Sequence, residues 1–563
     1  MPSQVLSLAL LVLSSLSSSV EAGKIQAPNL SLPSGAAANA ARVKSAFISA
    51  FGDYKRFAYG HDDLAPLSTT SKTPWVDSRN GWGSTIIDSM STMKIMGLDT
   101  LFSESVAYAA TINFNFETTI RYLGGLLASY ELNGKKDQAL LDQAIRLGDK
   151  LSFAWVGDND LPYNSLDFNT NTPDVATSNI ASVGSSSLEF GKLSELSGNP
   201  KYRNLVEKTI RKVATNPAPL PGLAAQGVDP ADGSPIGDYI VHLGGASDSY
   251  FEYLLKYGRL TNNADPLWIE TWKAAVDSSI RYLAKTSSVG GHLYLTDYTR
   301  KQNVYVGSHL ECFHGGNWIM GGKLLDNQTI VDYGLKLVDA CINTYQSTVT
   351  GIGPEVFAYI GSDGGNYTGG PRPSPSDMDF YNQHGFYVYN GYSYYDLRPE
   401  VLESNFYAWR ATGDVKYQNN AATALTNILK NCKAPAAYAP IQDVTKLNSG
   451  FFDDTESFFF AEVMKYLYLT FDDPKHISLD EWVFNTEAQP LRAPAELSTY
   501  GLYSASRTSN IAFQPNSGAI AMISPSPILP KQLVDVVKDA VEGLQISLGV
   551  TGSIGKLLGF NNP

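Results

Sequence analysis

Helical periodicity governs this chain from about residue 36 onward, and the helical segments come in pairs. Apolar residues recur at three- and four-residue spacing over 37–57, 83–97, 100–111, 116–133, 137–152, 183–197, 200–215, 247–260, 266–286, 308–324, 328–347, 399–412, 414–432 and 455–471. Several neighbours are separated only by a tight turn, as at Ser197-Gly198-Asn199-Pro200 and Thr412-Gly413-Asp414. Turns of this kind join antiparallel helical hairpins. Seven such hairpins stacked in a closed ring would make a double-layered helical barrel, so the expected class is all-α. At 563 residues the chain is long for one domain, but helical barrels reach this size as a single unit. Hydrophobic residues make up 43%, enough for the large core that a barrel buries.

Between the pairs lie long loops rich in Gly, Pro and Tyr, such as 351–396. Loops of that length are usually functional or disordered, and in a barrel they rim a pocket. The two ends of the chain differ from the middle. Val5 to Leu16 is a short apolar core and Val20-Glu21-Ala22 ends on a small residue, which reads as a signal peptide, residues 1–22. Residues 23–35 are expected to be a flexible leader and 36–493 the barrel. Residues 494–563 form an extension of unknown role, with an amphipathic-looking stretch from Lys531 to Leu548.

The net charge of −13 repels phosphate backbones and no basic run interrupts it, so a nucleic-acid partner is not expected. Apart from the signal peptide no segment reads as a membrane anchor. Charged residues are only 17%, and Tyr is common at 32 residues. A flat apolar face with a polar edge suits sugar rings, though large barrels also use many aromatics. Cys312, Cys341 and Cys432 allow one disulfide and one free thiol in an oxidising compartment. Sequons at Asn29, Asn327 and Asn366 fit the same compartment.

Five stretches carry carboxylates in unusual settings. In Phe116-Glu117-Thr118-Thr119-Ile120-Arg121, Glu117 and Arg121 share a helix face. The following Gly124-Gly125 costs about 1 kcal/mol per residue in a helix, so close packing must require it. In Ser247-Asp248-Ser249, either Ser247 or Asp248 can cap a helix. In Arg398-Pro399-Glu400-Val401-Leu402-Glu403, Pro399 sets a first turn and the two acids sit where the helix dipole favours anions. The last two are Asp454-Thr455-Glu456-Ser457-Phe458 and Phe484-Asn485-Thr486-Glu487-Ala488-Gln489. Glycoside hydrolysis needs such carboxylates around one bond.

Together and in this order, these stretches resemble the class I α-1,2-mannosidases, glycoside hydrolase family 47. Supporting matches are Asn80-Gly81-Trp82-Gly83, Ser187-Leu188-Glu189-Phe190, His309-Leu310-Glu311-Cys312-Phe313 and Gly351-Ile352-Gly353-Pro354-Glu355. The likeness runs from about Ala36 to Pro490 and is strongest toward secreted fungal members. It implies an (αα)7 barrel, an inverting mechanism and one calcium ion. By motif, Thr486 is the direct calcium ligand and Glu487 acts through water, with Glu189, Glu403 and Glu456 around it. Glu400 matches the general base and Glu117 the general acid. Arg121, four residues on, should lower the pKa of Glu117, so Asp248 stays a competing acid. His309, Arg398 and Arg121 match residues that contact substrate, and Cys312 with Cys341 matches the family disulfide.

Two positions depart from the family pattern. Gln489 stands where a His is usual, and Ala246 stands where single-branch endoplasmic reticulum members carry Arg. The second widens the pocket and implies broad trimming. The expected function is therefore calcium-dependent removal of terminal α-1,2-mannose from high-mannose N-glycans by a monomer in the secretory pathway, secreted or held in its lumen. The alternatives are a mannose-glycan-binding quality-control factor with little catalysis, or a related barrel acting on another sugar.

Overall fold

The structure is a computed structural model and describes residues 25–69, 76–77, 79, 81–112, 119–242, 247–299 and 302–500. Glu117, Ala246, the expected signal peptide and residues 501–563 lie outside the described residues. For Asp248 the backbone is described and the side chain is not.

Fourteen of the described helices form the barrel, in seven pairs. The pairs are α2 (Ser84–Ile95) with α3 (Asp99–Ala109), α4 (Gly124–Leu132) with α5 (Gln138–Leu151), and α6 (Ser187–Ser197) with α7 (Lys201–Thr215). They continue with α8 (Asp248–Leu260) and α9 (Leu267–Ser278), α10 (Phe313–Leu324) and α11 (Gln328–Gln346), and α12 (Glu400–Thr412) and α13 (Val415–Asn431). The seventh pair joins the two ends of the sequence: α1 (Ala36–Phe57) packs on α14 (Met464–Phe471). One helix of each pair contacts its neighbours around an inner ring of α2, α4, α6, α8, α10, α12 and α14, which closes where the π turn Phe459–Val463, leading into α14, meets α2. The expected all-α double-layered barrel is therefore observed.

Inner and outer helices read differently for a physical reason. The outer α5 buries Leu140, Leu141, Ala144, Leu147 and Leu151 on one stripe and exposes Asp142 and Arg146. The inner α2 is buried on all sides, including Asp88, Ser89, Ser91 and Thr92. An inner helix meets its own partner outside, two neighbours at its sides and the barrel axis inside. Its polar residues must then find partners in the core. Thr92 does so by donating to the carbonyl of Phe460, in the neighbouring segment that leads into α14, at 3.0 Å.

The turns work as their residues predict. Gly198 and Gly413 end α6 and α12 in the left-handed region, at φ 73° and 71°. Asp414 then caps α13 by accepting from the Lys416 amide at 2.9 Å.

The stretch that precedes α1 is tied to the far end of the chain. Ile25 is fully buried, and the Ile25 and Gln26 amides donate to Asp480 Oδ1 at 2.8 and 3.2 Å. Ala27 donates its amide to the Arg410 carbonyl at 2.7 Å. The Arg410 guanidinium, itself fully buried, reaches Gln26 Oε1 and the carbonyls of Leu469, Pro474 and Ile477. Farther along, Phe47 and Phe51 of α1 pack edge-on to Phe460, at 5.6 and 6.0 Å.

The loop 351–396 is structured. It holds strand β2 (Val356–Ala358), a helix over Pro375–His384 with a Ser374/Asp377 capping box, and strand β3 (Tyr387–Val388). With β1 (Val306–Ser308) these form an antiparallel sheet in the order β1-β2-β3. Cys312 and Cys341 form the disulfide expected for them, with Cα atoms 5.9 Å apart, and Cys432 is free and buried.

One buried pair sets an acid limit on the fold. His242 and His314 face each other at 3.3 Å, and His242 also meets Ser279 Oγ at 3.1 Å. Burial pushes His242 down to about 3 and His314 well below its ordinary value. In the unfolded chain both titrate near 6.5. Below that pH the unfolded state takes up protons that the folded pair refuses, so stability falls with pH. From pH 7 to 5.5 we expect the two imidazoles to cost about 2–3 kcal/mol together. Urea midpoints at both pH values check this. A His242→Gln/His314→Gln variant should lose most of that slope, and an unchanged slope would rule the pair out as its source.

Candidate active site

Glu400 opens α12 behind a strained corner. Leu397, three residues earlier, sits at φ 56°, a region costly for a branched side chain. The corner swings Arg398 and Glu400 to the same wall. Arg398 Nε donates to Glu355 Oε2 at 2.7 Å, and its Nη2 lies 3.4 Å from Asp396. Glu355 also accepts the Asp396 amide at 2.9 Å. Glu400 Oε2 lies 2.7 Å from His309 Nδ1, and His309 Nε2 lies 2.7 Å from the Tyr345 hydroxyl. Burial alone would raise the Glu400 pKa. The hydrogen bond and charge of His309, with Arg398 nearby, outweigh it and hold the carboxyl below its ordinary value. Glu400 is thus kept ionised, as a general base must be.

A second group of carboxyls forms the floor. Glu189 Oε1 accepts from Tyr253 and Asn485, both at 2.7 Å, and its Oε2 is buried without a partner among the described residues. Burial pushes Glu189 up to about 7. Glu403 accepts from the Tyr466 hydroxyl at 3.1 Å and lies 3.8 Å from Lys256. Burial raises it to about 8 despite that lysine. Glu487 accepts from Arg121 at 2.5 Å, and burial still carries it to about 7. Glu462, buried beside Glu487, Glu400 and Glu403, is raised well above the carboxyl range by burial and by those charges. These groups share a deficit of positive charge.

The loop that carries Thr486 is the hairpin connection between β4 (Trp482–Phe484) and β5 (Pro490–Arg492). Asn485 organises it. Its Oδ1 accepts the Glu487 and Gln489 amides at 2.9 and 2.8 Å, and its Nδ2 reaches Ile120 and Glu189. Lys465, fully buried, donates to the Ala488 carbonyl at 2.6 Å, with Ala488 at φ 54°. Gln489 donates to the Asp88 carbonyl at 3.1 Å and accepts from Ser91 Oγ at 2.6 Å. The amide thereby binds this loop to the inner helix α2. Among the described residues no three His, Cys, Asp or Glu groups converge on one point as metal ligands. A cation here would rest on the Thr486 oxygens and on water oriented by the carboxyls. That is a hard-oxygen setting of the kind calcium takes.

The Gly124-Gly125 pair explains itself here. A Cβ on Gly124 would lie 2.6 Å from Asn485 Nδ2, and one on Gly125 would lie 2.8 Å from the Ile87 carbonyl oxygen. Gly124→Ala is expected to cost about 1–3 kcal/mol by overpacking. Gly52, in α1, has nothing within 4 Å of the same position. Gly52→Ala is therefore expected to stabilise by about 0.4–1 kcal/mol. Thermal melts of the two variants test the contrast, and equal shifts would refute it.

The structure brings Glu189, His309, Arg398, Glu400, Glu403, Arg121, Thr486 and Glu487 into one region. Glu456 pairs with Arg79, which also holds Asp63 at 2.7 Å. Glu462, Phe458 and Lys465 were not singled out in the sequence. Glu462 reaches the floor from a π turn, Phe459–Val463. Arg121 lies on another, Thr119–Leu123. Phe458 lies between two guanidiniums, 5.5 Å from Arg121 and 5.6 Å from Arg398. Lys465 was invisible because its partner is a backbone carbonyl. The only signal for Glu462 was a second acid in an apolar run, six residues after Glu456.

No helix among the described residues is long and apolar enough to cross a membrane. The family model Glycosyl hydrolase family 47 matches residues 46–493. A probable mannosyl-oligosaccharide α-1,2-mannosidase 1B of Aspergillus clavatus is 38% identical over 81% of this chain and 93% of its own length. The mannosyl-oligosaccharide α-1,2-mannosidase of Penicillium citrinum is 35% identical over 83% of this chain and 94% of its own. Among solved structures, an α-1,2-mannosidase from Trichoderma reesei superposes with a TM-score of 0.77 at 36% identity. It covers 81% of this chain and 99% of that one.

Proposed function

Because the chain belongs to glycosyl hydrolase family 47, we propose that it removes terminal α-1,2-linked mannose from high-mannose N-glycans, with inversion and with calcium as its cofactor. The observation that carries this reading is Glu400, ionised against His309 and Arg398 and facing a carboxyl-rich floor around Thr486. In the proposed step Glu400 takes a proton from water as the water oxygen bonds to the anomeric carbon. The glycosidic carbon–oxygen bond breaks, and the departing oxygen takes a proton from the acid. Glu117 and Asp248 are the two candidates for that acid. Attack opposite the leaving group turns an α-linked sugar into a β-product.

The donor set fits calcium. Thr486 offers hydroxyl and carbonyl oxygens, and Glu189 Oε2 is a buried acceptor that a bound water would satisfy. Bound calcium would supply a fixed positive charge for sugar hydroxyls. The rest falls to the chain's own groups: Asn485, Lys465 and Gln489 hold the loop, while Arg121 and Arg398 flank Phe458 at the pocket wall.

Ala246 in place of an arginine supports trimming of several α-1,2-mannoses. The disulfide and the apolar N-terminus support a secretory-pathway setting, and we take the enzyme as a secreted monomer. Incubating the protein with a high-mannose glycan tests the function. Free mannose first appearing as the β-anomer is expected. Glycan binding without turnover would establish the quality-control alternative instead, and release from α-1,3- or α-1,6-linked mannosides or glucosides would assign another sugar linkage.

A further inference from the structure

The hydrogen bonds of Glu400 run past His309 into the outer layer of the barrel. His309 Nδ1 faces Glu400 Oε2 and His309 Nε2 faces the Tyr345 hydroxyl, each at 2.7 Å. Tyr345 belongs to α11, the outer helix of its pair, and reaches across the layer to the catalytic wall. Two spacings put it there. Cys341 and Tyr345 are four residues apart, on one face of α11. His309 and Cys312 are three apart, at the short helical turn Leu310–Cys312 that leads into α10. The Cys312–Cys341 disulfide and the His309–Tyr345 pair thus bridge the same two segments, about one helical turn apart. Both His309 and Tyr345 are buried, so bulk water does not compete for the bond between them.

The rings around the imidazole cannot tell its nitrogens from its carbons. The His309 centroid lies 5.7 Å from that of Tyr345 and 5.6 Å from that of Tyr395. An imidazole rotated by a half-turn would fill the same space and point carbon at both Glu400 and Tyr345. Only hydrogen bonds select the orientation. Ionised Glu400 accepts and cannot donate, so Nδ1 must carry a proton. At Nε2 a phenol serves either charge state of the ring. It donates to a neutral imidazole. From an imidazolium it accepts, and its own proton then goes to the Tyr395 hydroxyl, which it also meets. Tyr395 in turn donates to the Arg398 carbonyl at 3.0 Å. Burial raises both phenols well above their ordinary range, so both stay protonated. Phenylalanine at 345 would leave Nε2 buried and unpaired.

We propose that Tyr345 is a positioning residue for the base: by holding Nε2 it fixes the His309 ring, so that the Nδ1 proton stays on Glu400. This rests on the hydrolase reading above. Four charged groups then bear on the titration of Glu400. His309 and Arg398 favour the carboxylate against burial, while Glu403 on the same helix and Glu462 from the π turn share its field. If His309 turns away, burial and these two carboxyls prevail, and Glu400 takes up its proton at a higher pH.

The test compares Tyr345→Phe with Thr344→Val. The second variant deletes the adjacent buried hydroxyl of α11, which donates to the Cys341 carbonyl at 2.7 Å. For Tyr345→Phe we expect kcat to fall about threefold to thirtyfold with KM nearly unchanged, and the acid limb of kcat/KM to move up by about half a pH unit or more. Thr344→Val should keep the wild-type acid limb. A limb unmoved in Tyr345→Phe, or moved equally in both variants, overturns the proposal whatever the melting temperatures show. Proton NMR of protein carrying isotope-labelled histidine reads the same geometry without turnover. The His309 Nδ1 proton, identified by its loss in His309→Gln, should exchange slowly with solvent in the wild type and rapidly in Tyr345→Phe. Equal exchange in the two overturns the proposal. Should Tyr345→Phe not fold, slow exchange in the wild type supports the proposal and rapid exchange overturns it. If the wild type releases no mannose, the hydrolase reading is what fails, and this resonance alone decides the role of Tyr345.

Discussion

Glu400→Gln is expected to lower kcat by about a thousandfold, within the range that general bases contribute, while leaving KM and the melting temperature nearly unchanged. The amide keeps the size of the carboxylate and can still meet His309 Nδ1, which lies 2.7 Å from Oε2 in the native site. What it loses is the capacity to take a proton from water. The pH profile gives a second check. Because His309 and Arg398 hold the Glu400 carboxyl below its ordinary value of 4.5, the acid limb of kcat/KM should fall below pH 4.5. A variant that keeps a tenth of wild-type kcat, or a wild-type acid limb above pH 5, would remove Glu400 from the role of base.

Withdrawal of calcium is expected to have an effect of similar size. Chelation should reduce activity at least a hundredfold, with recovery on adding calcium and not on adding magnesium, which demands a tighter octahedral shell. Stability supplies a readout independent of turnover. Glu189, Glu403, Glu462 and Glu487 crowd the floor with Arg121, Lys256 and Lys465 as the neighbouring cations. Binding only to the folded state at a hundred times Kd adds about 2.7 kcal/mol. The melting temperature should therefore climb with calcium concentration, and Thr486→Val should flatten that climb. A melting temperature indifferent to calcium would sink the assignment of Thr486.

All fourteen barrel helices were legible in the sequence because each outer helix carries a clean apolar stripe and many turns carry Gly with Asn or Asp. The site was legible in blocks for a different reason: its residues lie in short runs whose order resembles a family. What stayed hidden follows from geometry. A π turn inserts one residue into the helical repeat and leaves no mark in composition. The two π turns that carry Arg121 and Glu462 thus lie beyond any reading by three- and four-residue spacing. Glu462 carries no motif of its own in the sequence, only its place in an apolar run. The sheet around β2 was hidden because its strands are two or three residues long, too short for alternation to register. Leu397 gives no hint of its left-handed conformation, since nothing about leucine favours one.

The seam between α1 and α14 governs when this molecule can finish folding. The chain leaves the ribosome with α1 first, yet Phe47 and Phe51 find Phe460 only after almost the whole barrel has been synthesised. Ile25 must wait longer still, for an aspartate 455 positions away. Until then the nascent protein is an open arc of hairpins with two unsealed apolar edges, a species prone to aggregation. Each hairpin can form locally and quickly, but closure is a single non-local event with a large loop entropy to overcome. A chain truncated before residue 459 would keep most of its helices and lack the segment that seals the ring against α1.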